Sequence, residues 1–281
     1  MLKVGEIYKL KNGQEVSLIA FYPDYFSGKD CVLLKINGAY AMADALTFQD
    51  NIVKDPNIQQ KRRTTLEKVQ LYQSYFRGRE NMLATSFENA NGKRVYYPLC
   101  LSRKKYPCPK LTKKSFPCIK CKFQDFQPIS NEQIINHLRG FDKNGKNTFY
   151  GIYPITEANT VYFLAFDFDK KDWQKSGLAL FTAAKKLGLI PLIELSQSGN
   201  GCHIWFFFEK AIQARLVRKF GAALLKYTML EQPALSFESY DRMFPNQDEL
   251  TLGGFGNLIA LPLQGEKVNV KGHLKMLVLG H

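Results

Sequence analysis

Long apolar runs are missing from this chain. No stretch of its 281 residues approaches the roughly 18–20 apolar positions that a membrane-crossing helix needs. The opening Met1-Leu2-Lys3-Val4-Gly5-Glu6 has no apolar core of the kind a signal peptide carries. The expectation is a soluble cytoplasmic protein with no membrane partner. Cysteine is also scarce: six residues are too few for a disulfide scaffold, and thiols inside a cell stay reduced. Histidine is scarcer still, with only His137, His203, His273 and His281 and no His-x-His pair among them. Glycine (20) and proline (12) follow no repeat, which excludes a collagen-like or low-complexity chain. Acid is absent from one long window, residues 93–122, which hold ten Lys and Arg and no Asp or Glu.

What is present is a large core and a basic surface. Apolar residues make up 45% of the chain and aromatics 13%, enough for one large domain or two to three small ones. Thirty-nine Lys and Arg against 25 Asp and Glu give a net charge of +14. The surplus sits in the front half: residues 1–130 hold 22 basic and 11 acidic side chains, and residues 131–281 hold 17 and 14. Such a concentration is the footprint of a polyanion binder. No amphipathic apolar face accompanies the charges, so nucleic acid is favoured over a membrane surface. Arg103, Lys104, Lys105, Lys113 and Lys114 are the candidate nucleic-acid contacts.

Three segments follow from the patterning. Residues 1–56 read as a small β module, with alternating runs at 15–20 and 31–36 and turn signals at Asn12-Gly13, Ser27-Gly28 and Asn37-Gly38. Residues 57–130 combine a helix over about 58–77 with the basic, cysteine-bearing stretch. Residues 131–281 begin with a helix over 131–139, for which Ser130 and Gln133 form a capping box and Gly140 the stop. A strand (161–168), a helix (172–187), strands at 191–196 and 202–208, a helix (211–230) and a last strand (about 257–263) complete a βαββαβ order. The fold class is α+β, with a ferredoxin-like, RRM-like half over about 160–264 whose helices cover one sheet face and leave the other free for a site.

Cys100, Cys108, Cys118 and Cys121 are spaced x7, x9 and x2. A Cys-x2-Cys pair chelates one ion from a tight turn, and two further thiolates complete a tetrahedral structural site. Prolines 98, 107, 109 and 117 leave this stretch without a core of its own, so Zn²⁺ is the expected staple. Four thiolates also admit an iron–sulfur cluster, and reduced structural cysteines are the bland alternative.

The chemistry is read from three runs. In Val161-Tyr162-Phe163-Leu164-Ala165-Phe166-Asp167-Phe168-Asp169 strand alternation puts Val161, Phe163, Ala165, Asp167 and Asp169 on one face and the remaining residues on the other. Two neighbouring carboxylates on one face repel each other, and Mg²⁺ or Mn²⁺ is the cation that resolves the repulsion. The bland reading is a strand end whose acids are solvated or cap the next helix. Ser198-Gly199-Asn200-Gly201-Cys202-His203 combines a glycine-rich turn able to turn N–H groups to a phosphate with a histidine that opens the next strand. Asp241 is the candidate third carboxylate and Arg242 a candidate phosphate ligand, with Glu238 and Asp248 as competitors.

Together, Phe166-Asp167-Phe168-Asp169, Ser198 to His203 and Ser239-Tyr240-Asp241-Arg242 resemble the three motifs of the archaeo-eukaryotic primase superfamily. Tyr75-Phe76-Arg77-Gly78-Arg79-Glu80, the four cysteines, Phe244-Pro245-Asn246-Gln247-Asp248 and Leu261-Pro262-Leu263-Gln264 are similar to the primase-polymerase module of TOTE-type conflict systems and CRISPR-associated primase-polymerases. The resemblance spans about residues 75–264 and several independent blocks occur in order.

It implies template-directed nucleotidyl transfer with two divalent metals, Mg²⁺ or Mn²⁺, held by Asp167, Asp169 and Asp241. His203 and Ser198, with the turn Gly199, Asn200 and Gly201, would contact the incoming NTP or dNTP, and Arg242 and Gln264 match nucleotide-side positions. Implied partners are a single-stranded DNA template, a primer, and helicase, nuclease or other CRISPR or conflict-system components of a prokaryote, phage or mobile element. Two rivals are a metal-dependent nuclease and a non-catalytic, zinc-stabilised single-strand-binding module; a relaxase-type nickase is disfavoured by the missing His-x-His pair.

Overall fold

The computed structural model describes residues 2, 4–23, 30–53, 63–232 and 237–265. The Ser27-Gly28 turn, the expected helical residues 58–62, the closing residues 266–281 of the expected third segment, and His273 and His281 lie outside them. The chain divides between Thr64 and Thr65 into two compact units, the second of which holds the cysteine segment and the 131–265 region. No helix among the described residues is long and apolar enough to cross a membrane.

The first unit contains strands β1 (Ile7–Leu10), β2 (Glu15–Pro23), β3 (Asp30–Ile36) and β4 (Ala39–Asp44), helix α1 (Ala45–Asn51) and strand β5 (Ile52–Val53). They form an antiparallel sheet of order β4-β3-β2-β1-β5. Asn37 and Gly38 both have positive φ, 48° and 85°, the geometry a two-residue hairpin needs to match strand twist. Val16, Leu18, Val32, Leu34 and Phe48 bury the core on the face that α1 covers.

The second unit runs through α2 (Thr65–Tyr75), β6 (Ala84–Glu88), β7 (Arg94–Pro98), α3 (Asn131–Arg139), β8 (Tyr150–Ile152), β9 (Thr160–Asp169) and α4 (Trp173–Lys186). It continues with β10 (Leu192–Leu195), β11 (Gly201–Gln213), α5 (Ala214–Glu231), β12 (Tyr240–Phe244) and β13 (Ile259–Ala260). The capping box at Ser130 and Gln133 is formed, and Gly140 ends α3 in the left-handed region. One sheet has the order β10-β11-β9-β12, the other β13-β8-β6-β7, and every pairing is antiparallel.

Three expectations are corrected here. The strand that closes the βαββαβ sheet is β12 on the free edge of β9, whereas the 257–263 run supplies only β13, which pairs with β8 in the other sheet. Tyr240-Asp241-Arg242-Met243-Phe244 has too little apolar alternation to read as a strand, and a register break between Tyr240 and Arg242 disturbs what alternation it has. Second, Val161 packs with the helix-side cluster, and Tyr162 lies under the Arg77 guanidinium, 4.0 Å from its ring centroid. Regular alternation fails there because β11 changes register between Phe207 and Ile212, opposite the start of β9.

Third, the face opposite the helices is not free. Leu164, Phe166, Phe168, Cys202, Ile204 and Phe206 pack under α4 and α5, through Leu180, Val217 and Leu224. On the other face Tyr75 meets Phe207 edge-on, and Phe76 meets Trp205 and Phe207 in the same way. Among the described residues, Asp167 and Asp169 at the end of β9 are only partly buried.

A polar knot holds α2, α3 and the 261–264 segment together. His137 is fully buried; its Nε2–H donates to the Pro262 carbonyl at 2.9 Å, and its Nδ1 accepts the Tyr150 N–H at 3.3 Å. The Tyr72 hydroxyl donates to the same carbonyl at 2.8 Å. The neutral imidazole satisfies both partners. A second ring proton would face the Tyr150 N–H, and burial would leave its charge unsolvated, so the pKa falls from the ordinary 6.5 to about 4.

A depressed histidine pKa means that the unfolded chain binds the proton first. Stability is complete above pH 6.5 and is lost as the pH falls toward 4, by about 3 kcal/mol for this one group. Urea unfolding followed through Trp173 and Trp205, which both lie in this unit, should show that loss between pH 7 and pH 4. The His137→Asn variant should lack it; parallel profiles for the two proteins would contradict the assignment.

Candidate active site

Antiparallel register assembles the site. Glu194 on β10 pairs with His203 on β11, His203 with Asp167 on β9, and Asp167 with Arg242 on β12. Acidic and basic side chains thus alternate in a row of four across four strands. His203 Nδ1 lies 2.9 Å from Glu194 Oε2, and Nε2 lies 3.6 Å from Asp167 Oδ1. Gly201 pairs with Asp169 one step further along. A Cβ there would stand 2.5 Å from the Phe168 carbonyl oxygen, so only glycine lets the turn close against the acidic end of β9.

Asp167 and Asp241 are close enough to couple. Burial raises the Asp167 pKa, the charges of Asp241 and Asp169 raise it further, and His203 and Arg242 oppose them. Arg242 Nε donates to Asp241 Oδ2. Asp169 Oδ1 is buried with no hydrogen-bond partner, and Lys170 Nζ stands 3.7 Å from it. Of the competitors, Asp248 is bound to Arg218, and Glu238 lies exposed on the 3-10 turn that precedes β12. Of the three, Asp241 is the one whose charge acts on Asp167.

Burial works to lower the His203 pKa, but the charge and hydrogen bond of Glu194, together with Asp167, outweigh it and raise the value. Glu194 was absent from the sequence reading. It is buried, and its Oε2 accepts from both His203 Nδ1 and Trp205 Nε1, each at 2.9 Å. Its signal is a lone acid in the apolar run Leu192-Ile193-Glu194-Leu195. Folding that run back across the Ser196–Gly201 turn sets it opposite His203.

The glycine-rich turn does not offer all its N–H groups. Gly199 N–H donates to Ser196 O and Asn200 N–H to Ser198 Oγ, leaving side chains to carry more of any anion contact. Gln197 anchors the turn: it accepts from the Tyr96 hydroxyl at 3.1 Å and donates to Leu261 O at 3.4 Å. Gln264 is not part of the acidic group. It is buried, and its Nε2 donates to Gly140 O and Thr148 O, each at 3.1 Å.

Cys100, Cys108, Cys118 and Cys121 border one cavity of about 20 Å³, with Arg103 and Lys110 also on its wall. Phe123 N–H points at Cys121 Sγ and Asp125 N–H at Cys100 Sγ, both at 3.4 Å. Burial raises the Cys118 pKa, Lys110 and Arg103 lower it, and Cys100 and Cys121 raise it. Among the described residues no group of three or more His, Cys, Asp or Glu is arranged as it stands to hold an ion. Lys104, Lys105, Lys113 and Lys114 are exposed, whereas Arg103 packs over Tyr97 at 3.9 Å.

Removing Glu194 leaves the buried Trp205 Nε1–H and the His203 ring without their acceptor. Glu194→Ala should cost about 3 kcal/mol or more, and Glu194→Gln, which keeps an acceptor, clearly less. Denaturant unfolding read through Trp205 separates the two; equal costs would contradict the acceptor role.

Comparison with known families matches residues 67–273 to the TOTE conflict system, Archaeo-Eukaryotic Primase domain. No curated protein matches the chain. The matched span covers both sheets of the second unit, the cysteine segment and every residue of the acidic row. It extends beyond the 75–264 anticipated from the motifs and suggests a nucleotidyltransferase-like enzyme. The chain belongs to the archaeo-eukaryotic primase domain family of TOTE conflict systems.

Proposed function

We propose that the chain is a primase-polymerase that extends a primer or an initiating nucleotide along a single-stranded DNA template. The 3′-OH oxygen attacks the α-phosphorus of an NTP or dNTP, a new P–O bond forms, and pyrophosphate leaves. The observation that carries this reading is the gathering of Asp167, Asp169 and Asp241 at one sheet end, where the charges of Asp241 and Asp169 act on the half-buried Asp167. Hard oxygen donors, with an Asp169 Oδ1 that is buried, accepts no hydrogen bond and faces Lys170 Nζ at 3.7 Å, support a divalent cation drawing the carboxylates together. Mg²⁺ or Mn²⁺ bound there would stabilise charge on the attacking and leaving oxygens.

The chain's own residues supply the rest. His203, whose pKa Glu194 raises, and Ser198 on the anchored turn would donate to the triphosphate. Arg242, already at the acidic group, adds a second positive charge for it. The order β10-β11-β9-β12 supports an RRM-like half as the scaffold. The four cysteines would hold structural Zn²⁺: their shared cavity has room for one ion, and two N–H groups point at the sulfurs. The basic surface around that segment would grip the template, and conflict-system membership supports action beside a helicase or nuclease.

Nucleotide incorporation on a primed and an unprimed single-stranded template, in Mg²⁺ and in Mn²⁺, tests the catalytic reading. Wild type should make product, and the Asp167→Ala/Asp169→Ala protein should lose at least about a thousand-fold of the rate while still binding template. Template binding with no product from wild type would leave only a binding module. Elemental analysis should separately find about one zinc per chain, lost in Cys118→Ser/Cys121→Ser along with thermal stability; iron or no metal would overturn the zinc site.

A further inference from the structure

The β6–β7 hairpin carries an outward face that the proposed chemistry does not use. Its register pairs Phe87 with Val95 and Thr85 with Tyr97, so these four share one side. The opposite side is turned inward: Ala84 is buried, Tyr96 packs on the cluster around Met82 and Tyr153, and Arg94 lies over Phe149. A solvent-facing sheet side is ordinarily polar. Here Phe87 is 45% and Val95 37% exposed, and the Phe87 and Tyr97 rings stand 5.7 Å apart at 55°. The Arg103 guanidinium lies beside this tilted pair, 3.9 Å from the Tyr97 centroid.

Charge decides what covers this face. β7 is the edge strand of its sheet and lies within the 93–122 window of ten basic residues and no acid. The one acid of the hairpin, Glu88, is paired with Arg94. A protein partner of mixed charge gains little from such a surround, whereas a phosphodiester chain with unpaired bases meets aromatic rings and cations together.

We propose that Phe87 and Tyr97 form a base-stacking platform for single-stranded nucleic acid, with Arg103, Lys104 and Lys105 beside it for the phosphates. The assignment rests on the template-directed reading for the identity of the strand, but not on catalysis.

The test is fluorescence anisotropy of the full chain, without nucleotide, on a labelled oligothymidylate of about 20 nucleotides and on an abasic strand of equal length at the same salt. Phe87→Leu keeps the apolar bulk and removes the ring; it and Tyr97→Ala should each weaken oligothymidylate binding about ten-fold and leave abasic binding unchanged. Phe87→Tyr should bind as wild type. Unchanged oligothymidylate affinity in both variants, an equal loss on the abasic strand, or no binding by wild type would each overturn the platform. Nucleotide incorporation measured on the same proteins separates the two proposals: an active enzyme whose binding ignores Phe87 loses only the platform, and an inactive chain whose binding needs Phe87 loses only the polymerase reading.

Discussion

Repulsion among Asp167, Asp169 and Asp241 is the constraint around which the second unit is organised. Three carboxylates at the half-buried end of a sheet are costly, and they stay together because the rest of the sheet leaves their backbone no alternative. Phe166 and Phe168 are buried under α4 and α5, and alternation then forces Asp167 and Asp169 to the opposite side. Partial compensation comes from His203 and Arg242, the strand neighbours of Asp167 on either side. The carboxylates are thus only partly balanced, and Asp169 Oδ1 is buried without accepting a hydrogen bond.

The supporting interactions explain how that arrangement is held. Glu194 fixes His203 from behind while binding Trp205, and Trp205 packs among Phe76, Phe163 and Phe207. Aromatic packing on the covered part of the face therefore reaches the ionic row through a single buried carboxylate. Gln197 links the turn before β11 to Tyr96 on β7 and to Leu261, so the two sheets of this unit meet at the edge of the site. The hairpin that presents Phe87 and Tyr97 outward is the one whose inner side holds the turn.

Much of the site was legible because it is built from local patterns. Asp167 and Asp169 stand out as acids at the end of an apolar strand, and Gly201 and His203 follow at the distance of one βαβ step. The choice among Glu238, Asp241 and Asp248 was not legible, since spacing carries no information about which acid faces β9. Gln264 is different: its motif position points to the nucleotide, while its Nε2 donates to two backbone carbonyls of the 140–148 hairpin, a contact no local pattern announces.

The sequence by itself determined the period-two strands, the capped start of α3, the cluster of thiols, the basic window and the identity of the first two carboxylates, because each is set by neighbours within a few residues. Tertiary structure decided that β12 closes the sheet, that Tyr75 and Phe76 pack on its second face, that Glu194 stands behind His203, and that Phe87 and Tyr97 lie outward beside Arg103. Those outcomes depend on pairings between distant segments, whose free energy comes from burial and register rather than from any local preference, so no window of the sequence contains them.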